Sequence, residues 1–108
     1  MDIDKINEHA FEAAELLSVL ANSNRLMVLC NLLNGEMAVM PLAESVGMTQ
    51  SALSQQLSRL RALKLVETRR EGRTIYYRLA SERVASLLTA LYDLYCVVPV
   101  RDGIADAA

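Results

Sequence analysis

Thiol and imidazole groups are scarce in this sequence, whose 108 residues include two cysteines and one histidine. Cys30 and Cys96 are too far apart for a CxxC redox motif, and neither has zinc-finger spacing. Zinc takes about four N, S or O ligands, and two cysteines with one histidine fall short of that set. A thiol enzyme is also disfavoured, because the lone, distant His9 gives a cysteine nucleophile no evident base. His9 reads instead as a surface or interface residue. No apolar run approaches the roughly 18 residues that span a bilayer. The N-terminal stretch MDIDKINEHAFEAAELL is acidic and lacks the basic start of a secretory signal. These absences predict a cytoplasmic protein with no membrane partner, in a compartment where a permanent disulfide is not expected.

Hydrophobic residues make up 53% of the chain. That fraction excludes a disordered chain and suggests buried surface beyond one core, such as a dimer interface. The length suits one domain, expected over residues 1–97. A flexible tail is expected over 98–108, where VPVRDGIADAA loses periodicity. The net charge of −2 hides a strong asymmetry. Met1 to Met48 carries two bases against seven acids, whereas Thr49 to Arg83 carries eight bases against three. Val84 to Ala108 returns to one base against three acids. A basic middle on an acidic frame gives a local positive field, and the local field decides where phosphates dock.

Ile3, Ile6, Ala10, Ala13, Leu17 and Leu20 recur at steps of three and four, a helix with a near-heptad seam that Phe11, Leu16 and Val19 widen. Asn22 and Ser23 suit the cap of a second helix, Asn24 to Leu33, which ends at Asn34-Gly35. Glu36 to Met40 reads as a short extended link. A third helix, Pro41 to Val46, is closed by Gly47, and Thr49 is suited to cap the next. Two helices joined by a short Gly-containing turn make a helix-turn-helix.

The stretch from Thr49 to Leu65 then reads as the recognition helix. Leu53, Leu57 and Leu60 form its apolar side, and Gln50, Ser51, Ser54, Gln55, Ser58 and Arg59 collect on the other. A solvated helix face usually carries Glu and Lys. Ser, Gln and Arg instead hydrogen-bond phosphates and base edges.

Leu65–Arg70 and Thr74–Leu79 read as strands around Glu71-Gly72-Arg73, with Gly72 supplying the positive φ of a tight hairpin. Arg69, Arg70 and Arg73 make its tip basic, as phosphate or minor-groove contact requires. Ser81 caps a last helix with an apolar stripe of Val84, Leu87, Leu88, Leu91, Leu94 and Tyr95. The expected fold is mainly α with a β-hairpin wing: a winged helix-turn-helix, homodimeric through its first and last helices.

This order of elements resembles the ArsR/SmtB family of winged-helix repressors. The residues that carry the resemblance are Leu20-Ala21-Asn22-Ser23-Asn24-Arg25-Leu26 and Gln50-Ser51-Ala52-Leu53-Ser54-Gln55-Gln56-Leu57. Leu60-Arg61, Leu65-Val66 and Gly72-Arg73-Thr74-Ile75-Tyr76-Tyr77 match as well, so the likeness covers about Phe11 to Cys96. It implies a homodimer that binds double-stranded DNA at a palindromic operator and blocks transcription until an inducer loosens it. Gln56 stands where family members often carry His.

Departures from the family's metal-sensing patterns are informative. Ala38 and Met40 occupy positions where a thiolate pair would sit in metal-sensing members. The last helix, Glu82 to Cys96, holds no His and only Glu82 and Asp93 as acids. Met37, Met40 and Met48 read as packing residues. Cys30 on the second helix and Cys96 at the end of the last resemble the persulfide-sensing branch of the family. The resemblance implies that a persulfide or polysulfide inducer reacts with one thiolate, which the second thiol resolves into an intramolecular bridge. Packed helix axes lie about 8–10 Å apart, whereas a disulfide needs Cα atoms within about 7 Å. Extra sulfur atoms lengthen that reach. A purely packing role for two buried thiols is the bland alternative. A metal-responsive regulator, a general redox regulator or an antirepressor are the functional ones.

Overall fold

Side-chain caps set most of the helix starts. The computed structural model, which describes residues 1–97, opens with two helices, α1 (Ile3–Asn7) and α2 (Ala10–Leu20). The single helix expected over this stretch breaks at His9, which takes φ −111° and ψ 4°. Asn7 and His9 are weak helix formers, and α1 buries no residue. No packing therefore overrides the local preference to break.

The next start was legible. Asn22 accepts a hydrogen bond from the Arg25 backbone N–H at 3.0 Å and begins α3 (Ser23–Leu33). After Gly35 comes β1 (Met37–Ala38), followed directly by α4 (Val39–Val46). The stretch expected to be only a link thus includes a strand, and α4 begins two residues before Pro41. Pro41 still lies in the first turn, where a missing N–H costs no intrahelical bond.

Gly47 closes α4 at φ 70°, a left-handed conformation that glycine adopts without a Cβ penalty. Thr49 then accepts from the Ala52 N–H at 3.1 Å and starts α5 (Gln50–Ala62). Strands β2 (Val66–Glu71) and β3 (Thr74–Leu79) pair antiparallel, and Gly72 takes φ 62° in the two-residue loop between them. Ser81 accepts from the Val84 N–H at 3.2 Å to cap α6 (Glu82–Tyr92), which runs into a π-helical turn, Asp93–Val97. The tail expected from Val98 lies outside the described residues.

The sheet has strand order β1-β3-β2. Its inner strand, β3, meets β1 through Met37–Tyr77 and Ala38–Tyr76. One apolar cluster unites the elements: Val28, Leu29 and Leu32 of α3, Leu42 of α4, Leu53, Leu57 and Leu60 of α5, Val66 of β2, and Val84 and Leu88 of α6. The body is elongated, at 51 × 32 × 20 Å, with a radius of gyration of 16.1 Å. A compact chain of this length would have about 13 Å. Among the described residues, no single helix is long and apolar enough to cross a membrane.

Candidate nucleic-acid interface and thiol pair

Leu53, Leu57 and Leu60 are fully buried and fix the rotation of α5 about its axis. That rotation turns Gln50, Ser51, Gln55, Ser58 and Arg59 to solvent, as the sequence pattern predicts. Ser54 is half-buried at the edge of this face. Thr49 is exposed, but its hydroxyl is occupied by the cap. Gln56 is half-buried, and its Oε1 is shut off from solvent without a hydrogen-bond partner among the described residues. Arg25 Nε is in the same condition.

On the wing, side chains alternate between faces. The register puts Glu67, Arg69 and Glu71 on one face with Arg78, Tyr76 and Thr74. Val66, Thr68 and Arg70 occupy the other with Leu79, Tyr77 and Ile75. Arg69 does not reach out alone. Its Nε donates to Glu36 Oε2 at 3.1 Å, its Nη2 pairs with Glu36 Oε1, and its Nη1 lies 3.0 Å from Glu71 Oε2. The guanidinium also sits 4.7 Å from the centre of the Tyr76 ring. The hydrogen bond from Arg69 holds the Glu36 carboxyl below its ordinary range. Desolvation opposes that shift, and the charges of Arg69 and Arg78 add to it.

Arg70 Nε donates to the Gly72 carbonyl at 3.0 Å, across the turn. Arg73 at the tip has no ion pair among the described residues. Two further bases of the positive stretch are neutralised: Arg78 by Glu67 at 2.5 Å and Arg83 by Glu12 at 2.6 Å. Within the positive stretch, the cations without a carboxylate partner among the described residues are therefore Arg59, Arg61 and Lys64 in and just after the last turn of α5, and Arg70 and Arg73 on the wing. Counting charge located this field, but a face-by-face reading of α5 left out Arg61 and Lys64. Both are exposed, and their position at the C-terminal end of a basic stretch, Arg61 in the last turn and Lys64 just beyond it, was the available signal.

Lys64 has the one positive φ, 63°, among described non-glycine residues. Its N–H bonds to Arg61 O at 2.9 Å and that of Leu65 to Leu60 O at 3.0 Å, a Schellman ending with lysine where glycine usually stands. Lys64 and Arg59 also line a groove of about 790 Å³ with Leu16, Val19 and Arg83.

The cysteines are both free thiols. Cys30 is half-buried on α3 against the core cluster, and burial pushes its thiol above the ordinary value. Cys96 is exposed in the π-helical turn. Among the described residues no three His, Cys, Asp or Glu side chains gather as metal ligands.

A helix-turn-helix followed by a hairpin wing, with unpaired cations at the end of the recognition helix and at the wing tip, defines a winged-helix DNA-binding regulator. The chain belongs to the arsR family of bacterial regulatory proteins, whose family model matches residues 22–68. It is 53% identical to Nodulation protein NolR of Rhizobium meliloti over 89 residues, 82% of this chain and 73% of that protein. The crystal structure of the transcriptional repressor BigR from Xylella fastidiosa is similar with a TM-score of 0.84 at 42% identity, over 89% of this chain and 98% of that one. Reduced HlyU from Vibrio cholerae is similar with a TM-score of 0.78 at 40% identity, over 85% of this chain and 97% of that one. The chain is thus a transcription regulator and not an enzyme.

Proposed function

We propose that this chain is a homodimeric repressor that binds a palindromic operator and leaves it when reactive sulfur species modify Cys30 and Cys96. The observation that carries the reading is the placement of the chain's two thiols. One is half-buried on a core helix and one is exposed just beyond α6, in a frame 42% identical to that of the repressor BigR. The solved HlyU relative is named as its reduced form, so a redox state is defined for that protein.

Dimerisation is supported by apolar side chains left in solvent on the terminal helices. Ile3, Phe11 and Leu17 are exposed at one end of the chain, and Tyr92, Leu94 and Tyr95 at the other, with Phe11 at 77% and Tyr95 at 81%. Each such side chain removed from water contributes roughly 1.5–3 kcal/mol. DNA contact falls to Thr49, Gln50, Ser51, Ser54, Gln55, Ser58 and Arg59 on the recognition helix and to Arg70 and Arg73 on the wing.

The chemistry begins when a cysteine thiolate attacks the outer, sulfane sulfur of R–S–SH. The S–S bond breaks, R–S⁻ leaves, and the cysteine becomes a persulfide. Two persulfidated cysteines condense to a trisulfide with loss of hydrogen sulfide. The extra sulfur spans a gap wider than the roughly 7 Å between Cα atoms that a disulfide allows. Such a tie would connect α3 to the end of α6 and so move the dimer-forming helix against the recognition helix. Two recognition helices must match grooves about 34 Å apart, so a small displacement costs affinity.

The test starts with a duplex selected from a random-sequence pool by the reduced protein. Glutathione persulfide treatment is expected to join the Cys30 and Cys96 peptides of one chain with added sulfur mass. Modification confined to other residues, or Cys30→Ser and Cys96→Ser proteins that respond like the unmodified protein, would remove the sulfur-sensing claim.

A further inference from the structure

We propose that Arg69 is a positioning residue that braces the wing against the body, and not a phosphate contact. The proposal rests on the DNA-binding reading above and assigns Glu36 a function that the sequence did not suggest. Arg69 is on β2, and its cross-strand neighbour on β3 is Tyr76. Tyr76 in turn faces Ala38 on β1, two residues after Glu36. The guanidinium therefore lies across Tyr76 and meets Glu36 at the near edge of β1, spanning all three strands. Both Glu36 oxygens are engaged by it, in the two-point geometry that suits a planar guanidinium.

The donor inventory argues against a phosphate role. Nε and Nη2 donate to Glu36 and Nη1 to Glu71, so carboxylates take three of the five N–H donors and fix the plane of the guanidinium. Two carboxylates against one guanidinium also leave the cluster with net negative charge, which repels a phosphate. A brace, by contrast, is needed here. β1 is two residues long and, among the described residues, is the one strand pairing between the hairpin and the chain that leaves α3. The base of the hairpin is held on the core by Val66, Tyr77 and Leu79, but its outer half, from Arg69 to Ile75, is exposed beyond that ladder. The Arg69–Glu36 contact fixes the direction in which Arg73 projects, and with it the spacing between wing tip and recognition helix.

Exchanging the two charges tests this without altering net charge. Binding to the selected duplex is titrated at several salt concentrations for the unmodified protein, Arg69→Glu, and the double variant Glu36→Arg/Arg69→Glu. A brace predicts that Arg69→Glu binds at least about tenfold more weakly, through two opposed carboxylates. The exchanged pair should return to within about threefold of the unmodified protein, with the same salt dependence. A phosphate contact predicts the reverse: the exchanged protein stays as weak as the single variant, and its log–log salt slope falls by about 0.9. That result overturns the proposal. Where Arg69→Glu does not fold, Arg69→Gln replaces it with the same two outcomes. If the unmodified protein enriches no duplex at all, the DNA reading fails on its own. The brace is then judged by wing amide hydrogen exchange, which should quicken in Arg69→Gln and recover in the exchanged pair; unchanged exchange overturns it.

Discussion

Lys64 shows what one residue can hide. A non-glycine residue in the left-handed region costs roughly 1–2 kcal/mol, yet the Leu60-to-Leu65 ending requires that conformation. Glycine would remove the strain at an entropic cost of about 0.5–1 kcal/mol. Lys64→Gly should therefore stabilise the fold by about 0.5–1 kcal/mol in urea unfolding, and a loss of stability would mean that the lysine side chain holds something the strain offsets.

Cys30 is the second residue-scale case. Burial raises its thiol above the ordinary 9.0, so at neutral pH the unreactive, protonated form dominates. The thiolate fraction then climbs about tenfold per pH unit up to that raised value. In Cys96→Ser protein, alkylation of Cys30 should keep accelerating from about pH 7 past pH 9. A plateau below about pH 8 would contradict the burial argument. In the proposed response to reactive sulfur, the exposed Cys96 would be the first target and Cys30 the slower partner.

Elements were legible where their ends are local. Asn22, Thr49 and Ser81 cap, and Gly47 and Gly72 turn, at the positions their patterns gave, because a cap needs only a side chain and an N–H three positions on. What the sequence hid is either too short for periodicity or too long in range. β1 has two residues and is defined by partners on β3, about forty positions later. The break at His9 separates two pieces of a seam whose spacing is continuous. The Arg69–Glu36 contact was equally hidden, because the two residues stand 33 positions apart. The wing tip itself reads correctly as basic. Arg73→Ala should weaken DNA binding and lower the salt slope by about 0.9, the loss of one phosphate contact. An unchanged slope would take Arg73 off the interface.

At the scale of the molecule, an elongated body with exposed apolar ends makes sense as half of a dimer. Leu17→Asp or Tyr95→Asp places a charge where a partner helix would exclude water. Each should shift the sedimenting species from dimer to monomer at micromolar concentration, while the circular dichroism of the helices persists. A dimer unaffected by both would place the interface elsewhere. A monomer would also bind the selected duplex far more weakly, because two half-sites reinforce one another only through a common body.

The acidic frame and basic middle then have a mechanical sense. In the proposed dimer, charge would bring α5 and the wing tip to DNA, and the relative placement of two copies would decide whether both fit. In the proposed switch the thiols would act on that placement from residues outside the reading face. Anisotropy of a labelled, selected duplex already bound by the reduced protein tests this most directly, as glutathione persulfide is added. The account predicts release, with the apparent Kd rising at least about tenfold, reversal by dithiothreitol, and no release from Cys30→Ser or Cys96→Ser protein. A complex that stays bound, or serine variants released as readily as the unmodified protein, would contradict it.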